Sequence, residues 1–220
     1  MFYQVQLWKG LTSPYVNSHQ LNKAEKFSGI WKWVSLLLFF TLILSGISAY
    51  NGIGNEQLSK LIYAAGTSEF HTIKGLFALG QVIQSMIVML IFIFFPALIL
   101  WVFTDIEYRK LVVVQLYVGG IYIFEKIVTI PLQLYFGLGY ESSPFALGII
   151  AQYLTDYEIV IKFFGEISLF SIWAMVIQFK YLSIITQKSP KIIILLIISI
   201  NLFIWLFTAL FSFIKFEVMF

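Results

Sequence analysis

The chain has no cysteine, which removes disulfides, thiolate nucleophiles and cysteine-ligated metals from the start. Arginine is nearly absent as well. Arg109 is the only one beside many lysines, and with abundant Ile and Phe this suggests an AT-rich bacterial genome. Charge of either sign is scarce: 11% of the 220 residues are charged and 60% are hydrophobic. A soluble domain carries roughly 25% charge and about 45–50% apolar residues. So little polar surface cannot cover a water-soluble globule, so most of the exterior must face lipid or protein. The net charge of +3 is too small to indicate nucleic acid as a partner.

What is present is a series of five long apolar stretches: Trp31–Tyr50, Gly75–Phe103, Leu111–Phe136, Glu158–Lys180 and Lys191–Ile214. A bilayer core of ~30 Å needs a helix of ~20 mostly apolar residues, and each stretch meets that length. The expected fold class is therefore all-α, a polytopic transmembrane helix bundle. Its five spans cover 31–50, 75–103, 111–136, 158–180 and 191–214 of a transmembrane domain formed by residues 31–220. Residues 1–30 form a cytoplasmic and partly interfacial segment ahead of it, too polar for the core of a signal peptide, so the first span reads as a retained anchor. The segments between spans are too short for a separate soluble core. The expected location is the cell membrane.

The basic residues orient the spans. Lys9, Lys23, Lys26, Lys32, Arg109, Lys110, Lys180, Lys188 and Lys191 fall on one side of a five-span layout, and Lys60, Lys74, Lys162 and Lys215 on the other. Such a bias places the N-terminus inside and the C-terminus outside. Shorter elements are also legible. Ser13-Pro14 opens a helix expected over Pro14–Phe27, and Ser143-Pro144 opens one over Phe145–Leu154. Leu58–Ala65 is apolar enough to lie at the interface. Trp31 and Trp33 suit an aromatic belt. Pro96 and Pro131 remove hydrogen bonds within the second and third spans and are expected to kink them.

Charges inside the hydrocarbon cost ~3 kcal/mol or more, so they face a partner or water. Glu125 and Lys126 interrupt the third stretch. At 1.5 Å per residue, Glu125, Lys162 and Glu166, with Gln81 and Gln84 of the second stretch, share one layer in the outer half of the membrane. Neighbours on a helix point ~100° apart, so Glu125 and Lys126 are each expected to find a partner on another helix. Glu125 with Lys162 and Lys126 with Glu166 are the neutralising pairs. The layer reads first as structural ion pairs and amide bridges, and alternatively as a polar cavity or a contact with a partner protein. His19 and His71 lie on opposite sides and cannot form one metal site. Asn201 suits an interhelical hydrogen bond. Gly46, Ala49, Gly119 and Gly120 suit close helix approach. Asp105, Glu107, Arg109 and Lys110 form a solvated turn and a candidate docking patch for a cytoplasmic ATPase.

No zinc-protease H-E-x-x-H, no G-x-S-x-G and no Walker A lysine occurs, so neither an enzyme nor a cofactor is expected. The segment Leu7-Trp8-Lys9-Gly10-Leu11-Thr12-Ser13-Pro14, the five-span layout and Pro96 in a polar-headed second span resemble the Yip family of Ypt/Rab-interacting membrane proteins, in a bacterial form. The long acidic N-terminal region of its eukaryotic members is absent, so GTPase binding does not carry over. The resemblance implies a non-enzymatic accessory or assembly subunit of a membrane complex. An ABC-type exporter in export or toxin defence is the partner it brings forward, beside the bilayer itself or a second copy. Two alternatives stand: a small transporter or channel with a polar path between spans two, three and four, and an immunity protein that binds a toxic peptide.

Overall fold

The structure, a computed structural model, describes residues 2–53, 67–138 and 143–211, and for 67–73 and 211 the backbone only. Strand β1 (Phe2–Gln4) leads into helices α1 (Leu7–Thr12) and α2 (Pro14–Asn22), then strand β2 (Lys26–Ser28). The long helices α3 (Ile30–Tyr50), α4 (Thr67–Phe103) and α5 (Tyr108–Phe136) follow. After them come α6 (Gly148–Leu154), α7 (Glu158–Gly165), α8 (Leu169–Ile185) and α9 (Pro190–Phe211). Among the described residues the fold is all-helical apart from the two short strands, and four helices are long and apolar enough to cross a membrane: Ile30–Tyr50, Lys74–Phe103, Tyr108–Phe136 and Pro190–Leu210.

Helix α5 is the centre of the bundle. Its most apolar window is 61% buried, against 28–33% for the other three long helices, so its neighbours wrap it rather than lipid. It packs against α3, α4 and α8, and against α1 along its first half. Leu111, Val113, Val114, Leu116, Tyr117 and Ile121 are fully buried there. Small residues allow these approaches: a methyl on Gly119 would meet Leu37 of α3 at 3.1 Å and Met89 of α4 at 3.4 Å. Gly120, a quarter-turn away, meets Leu7 and Leu11 of α1. Gly46 has nothing within 4 Å, contrary to the close-approach expectation, and Ala49 is buried. Gly137 ends α5 in the left-handed conformation at φ 64°, where a side chain would be strained.

Several expected boundaries move for stated reasons. The fourth stretch, 158–180, is not one helix. It breaks at Glu166–Ser168, because Ser168 caps a new helix: its hydroxyl accepts from Ser171 N at 3.1 Å, and the Ser171 hydroxyl accepts from Ser168 N at 2.9 Å. The backbone freed by the break is satisfied from the side. Leu147 N donates to Ile167 O and Leu169 N to Phe145 O, both at 3.0 Å. The same pairing holds Phe145–Leu147 out of helix, so α6 starts at Gly148 and not at Phe145. The Pro14–Phe27 helix stops at Asn22, since Lys26–Ser28 pairs with Phe2–Gln4 as a parallel ribbon. Helices α1 and α2 form the crossover that parallel strands require. The second stretch extends back to Thr67, and Pro96 and Pro131 lie inside continuous helices. Leu58–Ala65, Lys60, Lys215 and the end of the fifth stretch lie outside the described residues.

Candidate functional site

At the break between α7 and α8 the chain gathers the charged residues of the bundle interior. Tyr122, Glu125, Lys126 and Thr129 lie on successive turns of α5, and Thr129 donates its hydroxyl to Glu125 O at 2.8 Å. Lys126 interacts electrostatically with both Glu125 on its own helix and Glu166 across the break. Glu125 and Glu166 also feel each other, and the Ser168 hydroxyl lies within hydrogen-bonding reach of the Glu125 carboxylate. Tyr122 stands in the field of both carboxylates. Phe170 closes the site through Phe124 at 6.0 Å and Phe145 at 5.5 Å, measured between ring centres. Two carboxylates, an amine, a phenol and a hydroxyl therefore meet where a helix begins. Carboxylates beside the α8 N-terminus are favoured by its unpaired N–H groups.

Lys162 is half-buried on α7, one turn before Glu166. The two glutamines of the expected layer part company with the cluster. Gln81 turns away from the cluster and donates Nε2 to Ile53 O at 2.9 Å, at the end of α3. Gln84 is exposed on α4. Asp105, Glu107 and Arg109 are exposed in the α4–α5 turn, whereas Lys110 donates Nζ to Asn22 O at 2.7 Å and so ties that turn to α2. His19 packs edge-on against Tyr15, with ring centres 4.7 Å apart, and the side chain of His71 lies outside the described residues.

A second polar layer is legible in the sequence only through Asn201, whose expected interhelical hydrogen bond is present. Asn201 of α9 donates to Gln178 Oε1 at 3.3 Å and to Ile197 O at 2.8 Å. Gln178 of α8 in turn donates Nε2 to Gln115 Oε1 of α5 at 3.1 Å. All three amides are buried. The signal that could have found the partners of Asn201 is an amide at matching depth in the other two apolar helices, Gln115 and Gln178. Gln115 and Glu125 are ten residues apart on α5, so the two layers are separated by ~15 Å.

The N-terminal segment seals the bundle beside this inner layer. The Tyr3 and Tyr117 hydroxyls share a hydrogen bond of 2.7 Å, and Tyr181 donates to Gly10 O at 2.9 Å. The Tyr117 and Tyr181 rings lie 5.0 Å apart. Trp33 donates Nε1 to Val5 O at 2.7 Å. Burial pushes the Tyr3 phenol above its ordinary value of 10.0, with the bond to Tyr117 pulling weakly the other way. The unfolded chain ionises near pH 10 while the folded chain holds the proton to higher pH. The Tyr3 contribution is thus complete below pH 10 and falls as pH rises beyond it toward the folded pKa. Melting temperatures measured from about pH 8 to 11 should fall less steeply above pH 10 for Tyr3→Phe than for the unaltered chain. Equal slopes would remove Tyr3 as the cause.

Comparison with protein-family models, with curated proteins and with solved structures finds no match to this chain. Fold and site together define a class: a helical bundle with four described helices long and apolar enough to cross a membrane, packed around α5, and a charged cluster at a broken helix.

Proposed function

We propose that the chain is a non-enzymatic integral membrane protein that serves as an accessory or assembly subunit of a membrane complex, with an ABC-type exporter as the leading partner. In this reading it crosses the cell membrane five times, with the N-terminus inside and the C-terminus outside, and α7 and α8 together make the fourth, interrupted crossing. The lysine and arginine distribution supports that orientation. A bacterial Yip-like membership belongs to the same reading. Its Leu7–Pro14 segment is the one whose Gly10 packs on Tyr117.

The observation that carries the proposal is the apolar belt on α5 between the two polar layers. Val118 is 4% exposed and Ile121 0%, with Gly119 pressed on Leu37 and Met89. A transported polar solute would need the route that these side chains fill. The charged cluster then acts as a fixed joint at the helix break, and the capped end presents the Asp105–Lys110 turn to a partner.

The test is reconstitution of the purified chain alone in liposomes, beside affinity purification from cross-linked native membranes. The expected outcome is ion and solute flux no greater than in empty vesicles, with an ATP-hydrolysing transporter recovered on the bait. Flux by the chain alone that falls on Glu125→Gln would overturn the reading in favour of a transporter.

A further inference from the structure

Residues 2–28 present two contrasting faces. Tyr3, Val5, Gly10, Ser18, Leu21 and Ala24 face inward and are buried. Phe2, Trp8, Tyr15 and Val16 face outward and are exposed, Trp8 at 78%. Lys9, Lys23 and Lys26 are exposed on the same segment, as is Lys32 in the first turn of α3. Large apolar side chains left open beside lysines need an environment that suits both.

The depth of the segment identifies that environment. Helix α3 has 21 residues, so it spans about 31 Å, close to the ~30 Å hydrocarbon core, and its first turn marks an interface. Trp33, in that first turn, holds Val5 by its indole N–H. Helix α1 follows Val5 by two residues, and its Trp8, exposed, points away from the Leu7, Gly10 and Leu11 side that meets α5 and so stays open beside the interface that Trp33 marks. Tryptophan and tyrosine favour an interface, because their rings are apolar and their N–H or O–H groups are polar.

We propose that the outer face of the N-terminal segment binds the headgroup layer of an anionic bilayer, with Trp8 and Tyr15 set into the interface and Lys9, Lys23, Lys26 and Lys32 meeting lipid phosphates. Charge complementarity selects the lipid class, since Glu25 is the only acidic residue among positions 2–32. The attraction of each lysine to an anionic surface adds to the insertion of the aromatic rings.

Native mass spectrometry of the full chain, titrated in detergent with phosphatidylglycerol or phosphatidylcholine, tests this. Phosphatidylglycerol should bind at least about fivefold more tightly, and Lys9→Gln/Lys23→Gln/Lys26→Gln/Lys32→Gln should abolish most of the preference. The control Lys188→Gln/Lys191→Gln should keep it. Equal binding of the two lipids, a preference that survives the quadruple change, or one lost in the control would each overturn the proposal. So would displacement of phosphatidylglycerol by millimolar inorganic phosphate, which would assign the site to a free anion. An acidic protein partner in place of lipid predicts no phosphatidylglycerol preference. In phosphatidylglycerol nanodiscs, Trp8→Phe should remove part of the tryptophan quenching produced by lipids brominated near the headgroup. Unchanged quenching would show that Trp8 is not inserted.

Discussion

Gly10→Ala is expected to lower stability by about 3 kcal/mol, while Gly46→Ala leaves it unchanged or slightly raises it. A methyl on Gly10 would overlap the Tyr117 ring at Cε1 and Cζ, well inside any real carbon contact. The Tyr117 ring has nowhere to go: it is fully buried, lies beside the Tyr181 ring and is bonded to Tyr3 through its hydroxyl. Backbone movement of α1 is the remaining response, and it strains the Tyr181 bond to Gly10 O and the Leu7 and Leu11 contacts on Gly120. The whole segment should loosen, so amide exchange over residues 2–28 should rise along with the fall in melting temperature. A double-mutant cycle with Tyr117→Leu isolates the cause, because shrinking the ring should recover much of the Gly10→Ala loss. If the two changes simply add, the clash is not the source.

The second large effect concerns the charged cluster. Lys126→Leu should cost about 1–3 kcal/mol, because it leaves the half-buried Glu125 and Glu166 near each other without the cation that both feel. The combined change Lys126→Leu/Glu125→Gln/Glu166→Gln should be milder than Lys126→Leu alone, since it removes the like charges as well as the pairing. Thermal unfolding in nanodiscs checks both. A triple variant as damaged as the single one would mean that the stem of Lys126, and not its charge, holds the helix break together.

Much of the architecture could be read directly from the chain. The stretches that became α3, α4, α5 and α9 are long and apolar in themselves, and hydrocarbon length is a local property. The Glu125–Lys126 anomaly was visible for the same reason: two charges in an apolar run need an explanation wherever the helix goes. Residues that act through partners on other helices were less legible. Gln81 and Gln84 were grouped by depth alone, yet one binds Ile53 just past α3 and the other is exposed, because depth does not specify which way a helix face points. Of the Gln115–Gln178–Asn201 chain only Asn201 was legible, because which amides it meets is decided when three helices come together.

By itself, then, the sequence determined that this is a helical chain with long apolar stretches, read as five, and one strongly charged position among them, where the structure has four helices long enough to cross a membrane among the described residues. Tertiary structure alone decided that the fourth apolar stretch breaks at Glu166–Ser168, that residues 2–28 fold back onto α5, and that Lys126 stands beside both Glu125 and Glu166. The physical reason is common to all three. Helix formation in an apolar stretch needs only its own backbone hydrogen bonds, whereas a break and a half-buried charge cluster are stable only when groups distant in sequence supply the missing partners.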